Sequence, residues 1–229
     1  AMRSERASAG GLSYLAYLPE PRLEPPLTQP PLILFLHGLG ERGRDLKRVK
    51  RHGLPRVLED GLALPAVVLA PQCPSDARWT DHGPALFALL DEASARYGAD
   101  PERVYLSGLS MGAQGAWFLA CAEPERFAAL AVVCGRSFPE RAARLAGLPV
   151  WVFHGEADEV VPLEESQRMV AALTACGCPP RFTRYPGVAH DAWSPAYAEP
   201  ELYAWLLAQR RGSAPERRRE GSSLGEADA

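Results

Sequence analysis

The chain has 229 residues, of which 47% are hydrophobic and 23% charged. That is enough for one sizeable core, and a single domain over 1–210 is expected. A formal net charge of −3 exerts no overall pull toward nucleic acid or an anionic membrane, and no stretch approaches membrane-spanning length, so neither partner is expected. The odd set Cys73, Cys121, Cys134, Cys176 and Cys178 suits a reduced, cytoplasmic protein: Cys121 and Cys134 lie in apolar runs, and Cys176-Gly177-Cys178 lacks a second pair at zinc spacing. The first six residues hold no apolar leader core. The only lysines are Lys47 and Lys50, and the chain has no asparagine and 22 prolines, a bias shared by heat-adapted proteins and GC-rich genomes.

Taken in order, Leu12 to Leu18 alternates and predicts a strand, antiparallel and at an edge, followed by a proline-rich connector over Pro19 to Pro31. The apolar run Leu32 to Leu36 predicts a strand covered on both faces. A helical segment over Asp45 to Asp60 is expected to break near Gly53-Leu54-Pro55, ahead of a strand over Ala66 to Ala70. An irregular loop carries Trp79, and Pro84 to Tyr97 is amphipathic. Beyond it, strands are predicted at Val104 to Leu106, Ala129 to Val133, Val150 to Phe153 and Arg181 to Tyr185. The intervening helices fall at Ala113 to Cys121, Glu140 to Leu145 and Leu163 to Ala175, and a last one at Pro200 to Gln209. Strands alternating with helices imply an α/β protein, a mostly parallel sheet with helices on both faces. The polar, low-complexity stretch 211–229 is expected to be a flexible tail.

Gly38-Leu39-Gly40-Glu41-Arg42-Gly43 matches Gly-x-Gly-x-x-Gly after a strand, the pattern of an NAD(P)-binding oxidoreductase. That fold requires an acid at the end of the next strand, where this chain has Pro71-Gln72. A plain turn is a second reading. The third is that the loop supplies an oxyanion donor to an acyl-transfer site, with His37 bracing it from inside.

Gly108-Leu109-Ser110-Met111-Gly112 follows a strand directly and opens a helix. This is the context of a nucleophile elbow, in which a strained turn lifts the serine hydroxyl above the sheet at a helix N-terminus. An acid and then a histidine must follow. The strand Val150 to Phe153 runs into His154-Gly155-Glu156-Ala157-Asp158-Glu159, whose three carboxylates are all candidates, with His154 expected to be structural. His190, in the loop before the last helix, is the candidate base, and Asp191 beside it is expected to fix that loop. The order Ser, acid, His is that of α/β hydrolases.

Phe35-Leu36-His37-Gly38-Leu39-Gly40-Glu41, Gly108-Leu109-Ser110-Met111-Gly112, His154-Gly155 with Asp158 and Val161-Pro162, and Gly187 with His190 resemble the phospholipase/carboxylesterase family of α/β hydrolases. The ending from His190-Asp191-Ala192-Trp193 to Trp205-Leu206 looks like its bacterial branch of esterases and peptidases. The likeness covers about Leu32 to Leu207. It implies Ser110 as nucleophile, Asp158 (over Glu156 and Glu159) as acid, His190 as base, and the backbone N–H groups of Leu39 and Met111 as oxyanion donors. Ala113-Gln114 stands where the branch often has a glycine and an aromatic, so pocket shape does not transfer. Cysteine at the nucleophile position would suggest a dienelactone hydrolase, and Ser110 argues against one.

The implied activity is a serine carboxylesterase acting on short- to medium-chain esters without metal or cofactor, as a monomer or homodimer on a small-molecule ester. A peptidase or amidase, an acyl-thioesterase or a lysophospholipase on the same triad are the alternatives. Gly135 to Pro149 is too short for a lid domain, so an open site is expected. Trp79, Val160, Val161 and Trp193, with Leu39, are candidate walls of its apolar groove, the two tryptophans being packing residues on the other reading.

Overall fold

A computed structural model describes residues 2–20 and 29–212; the expected tail, from 213 onward, lies outside the described residues. Eight strands form one sheet: β1 (Arg3–Ala9), β2 (Leu12–Leu18), β3 (Leu32–Leu36), β4 (Val67–Pro71), β5 (Val104–Leu109), β6 (Ala129–Val133), β7 (Val150–Gly155) and β8 (Arg181–Tyr185), ordered β1-β2-β4-β3-β5-β6-β7-β8. The first two pairings are antiparallel and the other five parallel. Among the described residues this is the α/β-hydrolase fold without a large lid: the alternation of elements predicted its mostly parallel sheet, and the motif resemblance implied the hydrolase fold.

The side-chain period of a strand explains how one apolar run serves two layers. Leu32, Leu34 and Leu36 face a core covered by α2 (Gly83–Tyr97), α3 (Met111–Ala122) and α4 (Glu164–Ala175). Ile33 and Phe35 face the opposite core, covered by α1 (Gly53–Glu59), α5 (Trp193–Ala198) and α6 (Pro200–Ala208). All five side chains are fully buried. Across the second core, the Ser107 hydroxyl on β5 hydrogen-bonds the buried Tyr197 hydroxyl on α5 at 2.8 Å.

β1 and α5 were not among the predicted elements. The edge is not Leu12 to Leu18 but β1, which pairs with β2 along its whole length through Arg3↔Leu18 to Ala9↔Leu12. Its sequence Arg-Ser-Glu-Arg-Ala-Ser-Ala carries no apolar alternation because an edge strand lies largely in water, and such charge is what keeps an edge from pairing further. The helical segment after β3 breaks at Gly53, where a break was expected. It divides into a 3-10 stretch, Leu46–Arg51, and α1, because Gly53 takes φ +65° and its missing Cβ lets Phe35 and Leu109 pack against its backbone.

Candidate active site

Ser110 sits between β5 and α3 with φ 51° and ψ −117°, a conformation that L side chains rarely adopt. Its N–H donates to the Val133 carbonyl at 2.9 Å, tying the turn to β6. The turn closes because its flanks are glycines. A Cβ on Gly108 would lie 2.3 Å from the Gly112 oxygen, and one on Gly112 only 1.9 Å from the Leu36 oxygen. The N–H of Met111 therefore opens α3 directly beside the serine.

His190 and Asp158 arrive from neighbouring loops. A Cβ on Gly155 would meet the Val188 and Ala189 oxygens at 2.3 Å, so only glycine at the end of β7 lets the two loops lie back to back. Ala157 N–H then donates to the Val188 oxygen at 2.9 Å. The result brings the three expected side chains together: His190 Nε2 is 2.9 Å from Ser110 Oγ, and His190 Nδ1 is 2.7 Å from Asp158 Oδ2. Since the carboxylate only accepts, Nδ1 carries the proton and Nε2 faces the hydroxyl as an acceptor. The other carboxylate oxygen, Oδ1, accepts the N–H groups of Val160 and Val161, each at 2.9 Å. The remaining acids of the loop take no part: Glu156 pairs with Arg184 at 2.9 Å and Glu159 is exposed. Asp191 fixes the His190 loop as expected, accepting from the hydroxyl and N–H of Ser194.

Cys134, at the end of β6 with φ 44°, donates its thiol hydrogen to the His190 carbonyl at 3.3 Å. Burial, and then the charge of Asp158, push that thiol well above the usual range, so it stays protonated. Cys134, Asp158 and His190 bring ligand atoms within 4.8 Å of one another, joined by the His190 Nδ1–Asp158 bond and the Cys134 thiol's bond to the His190 carbonyl.

The glycine loop is built from below. His37, at the end of β3, is buried and donates from Nδ1 to the Gly38 carbonyl at 2.6 Å, while Nε2 accepts the Cys73 N–H at 3.0 Å. Burial lowers its pKa to about 4, so the ring is neutral at ordinary pH, as that hydrogen-bond pattern requires. Trp79 Nε1 donates to the His37 carbonyl at 2.9 Å. The Gln72 amide donates to the carbonyls of Glu41 at 2.8 Å and Asp45 at 2.9 Å. Leu39 to Glu41 form a single 3-10 turn rather than the start of an α-helix, so the glycine pattern lacks the helix N-terminus on which a dinucleotide pyrophosphate rests. Glu41 is buried inside this loop, which raises its pKa, and its Oε1 lies 3.8 Å from His52 Nε2.

Trp79 is thereby corrected as a groove residue. It is fully buried, and its side chain occupies the space against which Gly115 of α3 packs, where a Cβ would come within 2.5 Å. Among the other candidates, Leu39 and Val160 are exposed at 47% and 65%, and Val161 is buried. Trp193 is half-buried, with its ring edge-on to His190 at 5.2 Å and tilted against His52 at 5.5 Å. Two apolar side chains thus stand in solvent on the loops that carry the site. The depressions of about 760 and 350 Å³ elsewhere on the surface, one around Phe127 and Arg144 and one around Val57 and Tyr203, touch none of the three. Gln72 and Cys134 were missed by the sequence reading. Gln72 had a signal, as a polar residue ending an apolar strand, whereas Cys134 looked like any core thiol.

Known proteins fall in line with this arrangement. Residues 76–201 match the dienelactone hydrolase family. The chain belongs to that family, within the α/β-hydrolase superfamily that its motifs resemble. The matched segment contains Ser110, Asp158 and His190, which corrects the expectation that a serine at the elbow separates the chain from dienelactone hydrolases. "Putative esterase NocK" of Nocardia uniformis subsp. tsuyamanensis is 29% identical over 203 residues, 83% of this chain and 54% of its own length. Among solved structures, a thermostable esterase superposes with a TM-score of 0.77 at 29% identity, covering 92% of this chain and 63% of that one. Esterase PE8 superposes at 0.59 and 25% identity, covering 75% and 91%. The chain thus spans less than two thirds of NocK and of the thermostable esterase. Among the described residues no helix is long and apolar enough to cross a membrane.

Proposed function

We infer that the protein is a serine carboxylic ester hydrolase for short- to medium-chain acyl esters, working through Ser110, His190 and Asp158. One observation carries the reading: an unbroken hydrogen-bonded line from Ser110 Oγ through both nitrogens of His190 to Asp158 Oδ2, at 2.9 and 2.7 Å. The serine at its end sits on a strained elbow beside a helix N-terminus. The likeness to esterases supports it.

In this reading His190 Nε2 takes the proton from Ser110 Oγ as the oxygen attacks the ester carbonyl. Asp158 holds the ring with its proton on Nδ1 and stabilises the imidazolium. The N–H groups of Leu39 and Met111 receive the developing oxyanion, Leu39 from the loop braced by His37 and Met111 from the first turn of α3. His190 returns the proton to the leaving alcohol, then activates water that releases the acyl group from Ser110. Leu39 and Val160 give the acyl chain apolar contact without enclosing it. Since each methylene is worth only about 1–3 kcal/mol in discrimination, an open groove ranks chain lengths weakly.

Hydrolysis of p-nitrophenyl esters of increasing chain length tests the proposal. Turnover should peak at short to medium chains and drop on the order of a millionfold in Ser110→Ala, where the three groups no longer act as a unit. Wild-type inactivity on every ester, or a mutant that keeps the activity, overturns it.

A further inference from the structure

The polar contacts of the site do not end at Asp158. His154, at the end of β7, is completely enclosed, as is the Asp158 side chain. Its Nε2 hydrogen-bonds the Val161 carbonyl oxygen at 2.8 Å and stands 3.3 Å from Asp158 Oδ2. A carbonyl only accepts, so Nε2 carries a hydrogen, which goes to Val161 and lies beside the carboxylate. The Ser166 hydroxyl of α4 hydrogen-bonds Nδ1 at 2.7 Å. Ser166 is itself buried, so its hydroxyl has no water to turn to.

Asp158 Oδ2 therefore stands between two imidazoles, that of His190 at 2.7 Å and that of His154 at 3.3 Å. With the N–H groups of Val160 and Val161 on Oδ1, the carboxylate accepts three hydrogen bonds and has the His154 Nε2–H as a fourth polar neighbour. The other titratable group facing it is the Cys134 thiol from β6, which stays neutral. Donors on a carboxylate do two things at once: they fix its plane, and they draw off charge otherwise offered to a partner cation.

We propose that His154 is a positioning residue for ester hydrolysis, its Nε2–H standing beside Asp158 Oδ2, steadying the carboxylate's aim at His190 and tempering its hold on the imidazolium, with the Val161 carbonyl keeping the hydrogen on Nε2 and Ser166 holding the ring through Nδ1. The functional line is then Ser166, His154, Asp158, His190, Ser110, entering from α4 on one side and leaving at the reacting oxygen on the other. The inference rests on the serine-hydrolase reading.

The test compares His154→Phe, which keeps a ring but no donor, with His154→Gln, whose amide nitrogen can stand near the place of Nε2, and Ser166→Ala, which removes only the hydroxyl that holds Nδ1. The readouts are kcat, KM and the acidic limb of the kcat/KM pH profile on one p-nitrophenyl ester. In His154→Phe, kcat should fall about tenfold with KM little changed, the size of one lost bond to a charged group. Its acidic limb should move to higher pH, because a carboxylate with one donor fewer stabilises the imidazolium more. His154→Gln should recover most of both changes, and Ser166→Ala should shift the limb the same way by less. A limb that stays in place or moves to lower pH in His154→Phe, or a His154→Gln no better than it, overturns the proposal. Should His154→Phe not fold, an unmoved limb in Ser166→Ala overturns it instead. Wild-type turnover and its loss in Ser110→Ala judge the underlying reading separately, since neither depends on His154.

Discussion

Two buried histidines end two strands of this sheet, each followed by glycine, and they are wired in opposite senses. His37, after β3, carries its proton on Nδ1, gives it to the Gly38 carbonyl and accepts the Cys73 N–H on Nε2. His154, near the end of β7, carries its proton on Nε2, gives it to the Val161 carbonyl beside Asp158, and hydrogen-bonds Ser166 through Nδ1. The same dipeptide serves a loop of backbone donors in one case and a carboxylate in the other. What differs is the neighbour, not the residue: His37 meets only backbone and Trp79, whereas His154 meets a charge. On the proposed mechanism, one brace acts on where the oxyanion would form, and the other on the base that would make the nucleophile.

The strongest way to break this division is at the carboxylate itself. In Asp158→Asn the side chain keeps one acceptor oxygen, which the Val160 and Val161 N–H groups already occupy. Its amide would then confront both His190 Nδ1 and His154 Nε2, and His190 would be held with its proton toward Ser110, unable to act as base. A loss of roughly ten-thousandfold in kcat is expected, with the folded state retained by circular dichroism. A loss of only tenfold would mean that Asp158 does not orient His190.

The oxyanion side should respond differently. His37→Phe leaves the buried Cys73 N–H without an acceptor and frees the Gly38 carbonyl, so the loop that aims the Leu39 N–H loosens. Misplacing one such donor costs on the order of a hundredfold in kcat. The acidic limb of the rate profile should stay where it is, because nothing at His37 touches the Asp158–His190 pair. That is the opposite of the limb shift expected at His154. If both variants move the limb alike, the two braces are not separate.

The three chemical groups were legible in the sequence because each sits where a strand ends and a short motif begins, and chain order then assigned the roles. The glycines around them were legible as turns, but the reason for Gly155 was not: it admits the Val188 and Ala189 carbonyls, a contact between segments 33 residues apart at the nearer. β1 was hidden by its polar edge composition, and α5 by its brevity, six residues with Pro195 inside. Trp79 had two readings because an aromatic in a loop looks the same whether it lines a groove or props one up. Only its bond to the His37 carbonyl and its full burial decide for the prop. His154 was read as structural for a similar cause, since its distance to Asp158 depends on how the loop 155–161 folds back.

The smallest expected effect concerns stability. Burial lowers the folded-state pKa of His37 to about 4, against 6.5 in the unfolded chain. Above pH 6.5 both states hold the ring neutral and the site carries no penalty. As pH falls from 6.5 toward 4 the unfolded chain gains a proton that the folded one refuses, so unfolding becomes easier, and below 4 the loss levels off. Between pH 7 and pH 5 this amounts to about 2 kcal/mol. Other groups titrate over the same range, so the comparison is with His37→Phe, which starts less stable but lacks this titration. Urea midpoints converted to free energies at the two pH values should fall more steeply for the wild type than for the variant by that amount. Parallel declines would mean that His37 takes up its proton inside the fold, which its acceptor bond from the Cys73 N–H forbids as long as the loop is closed.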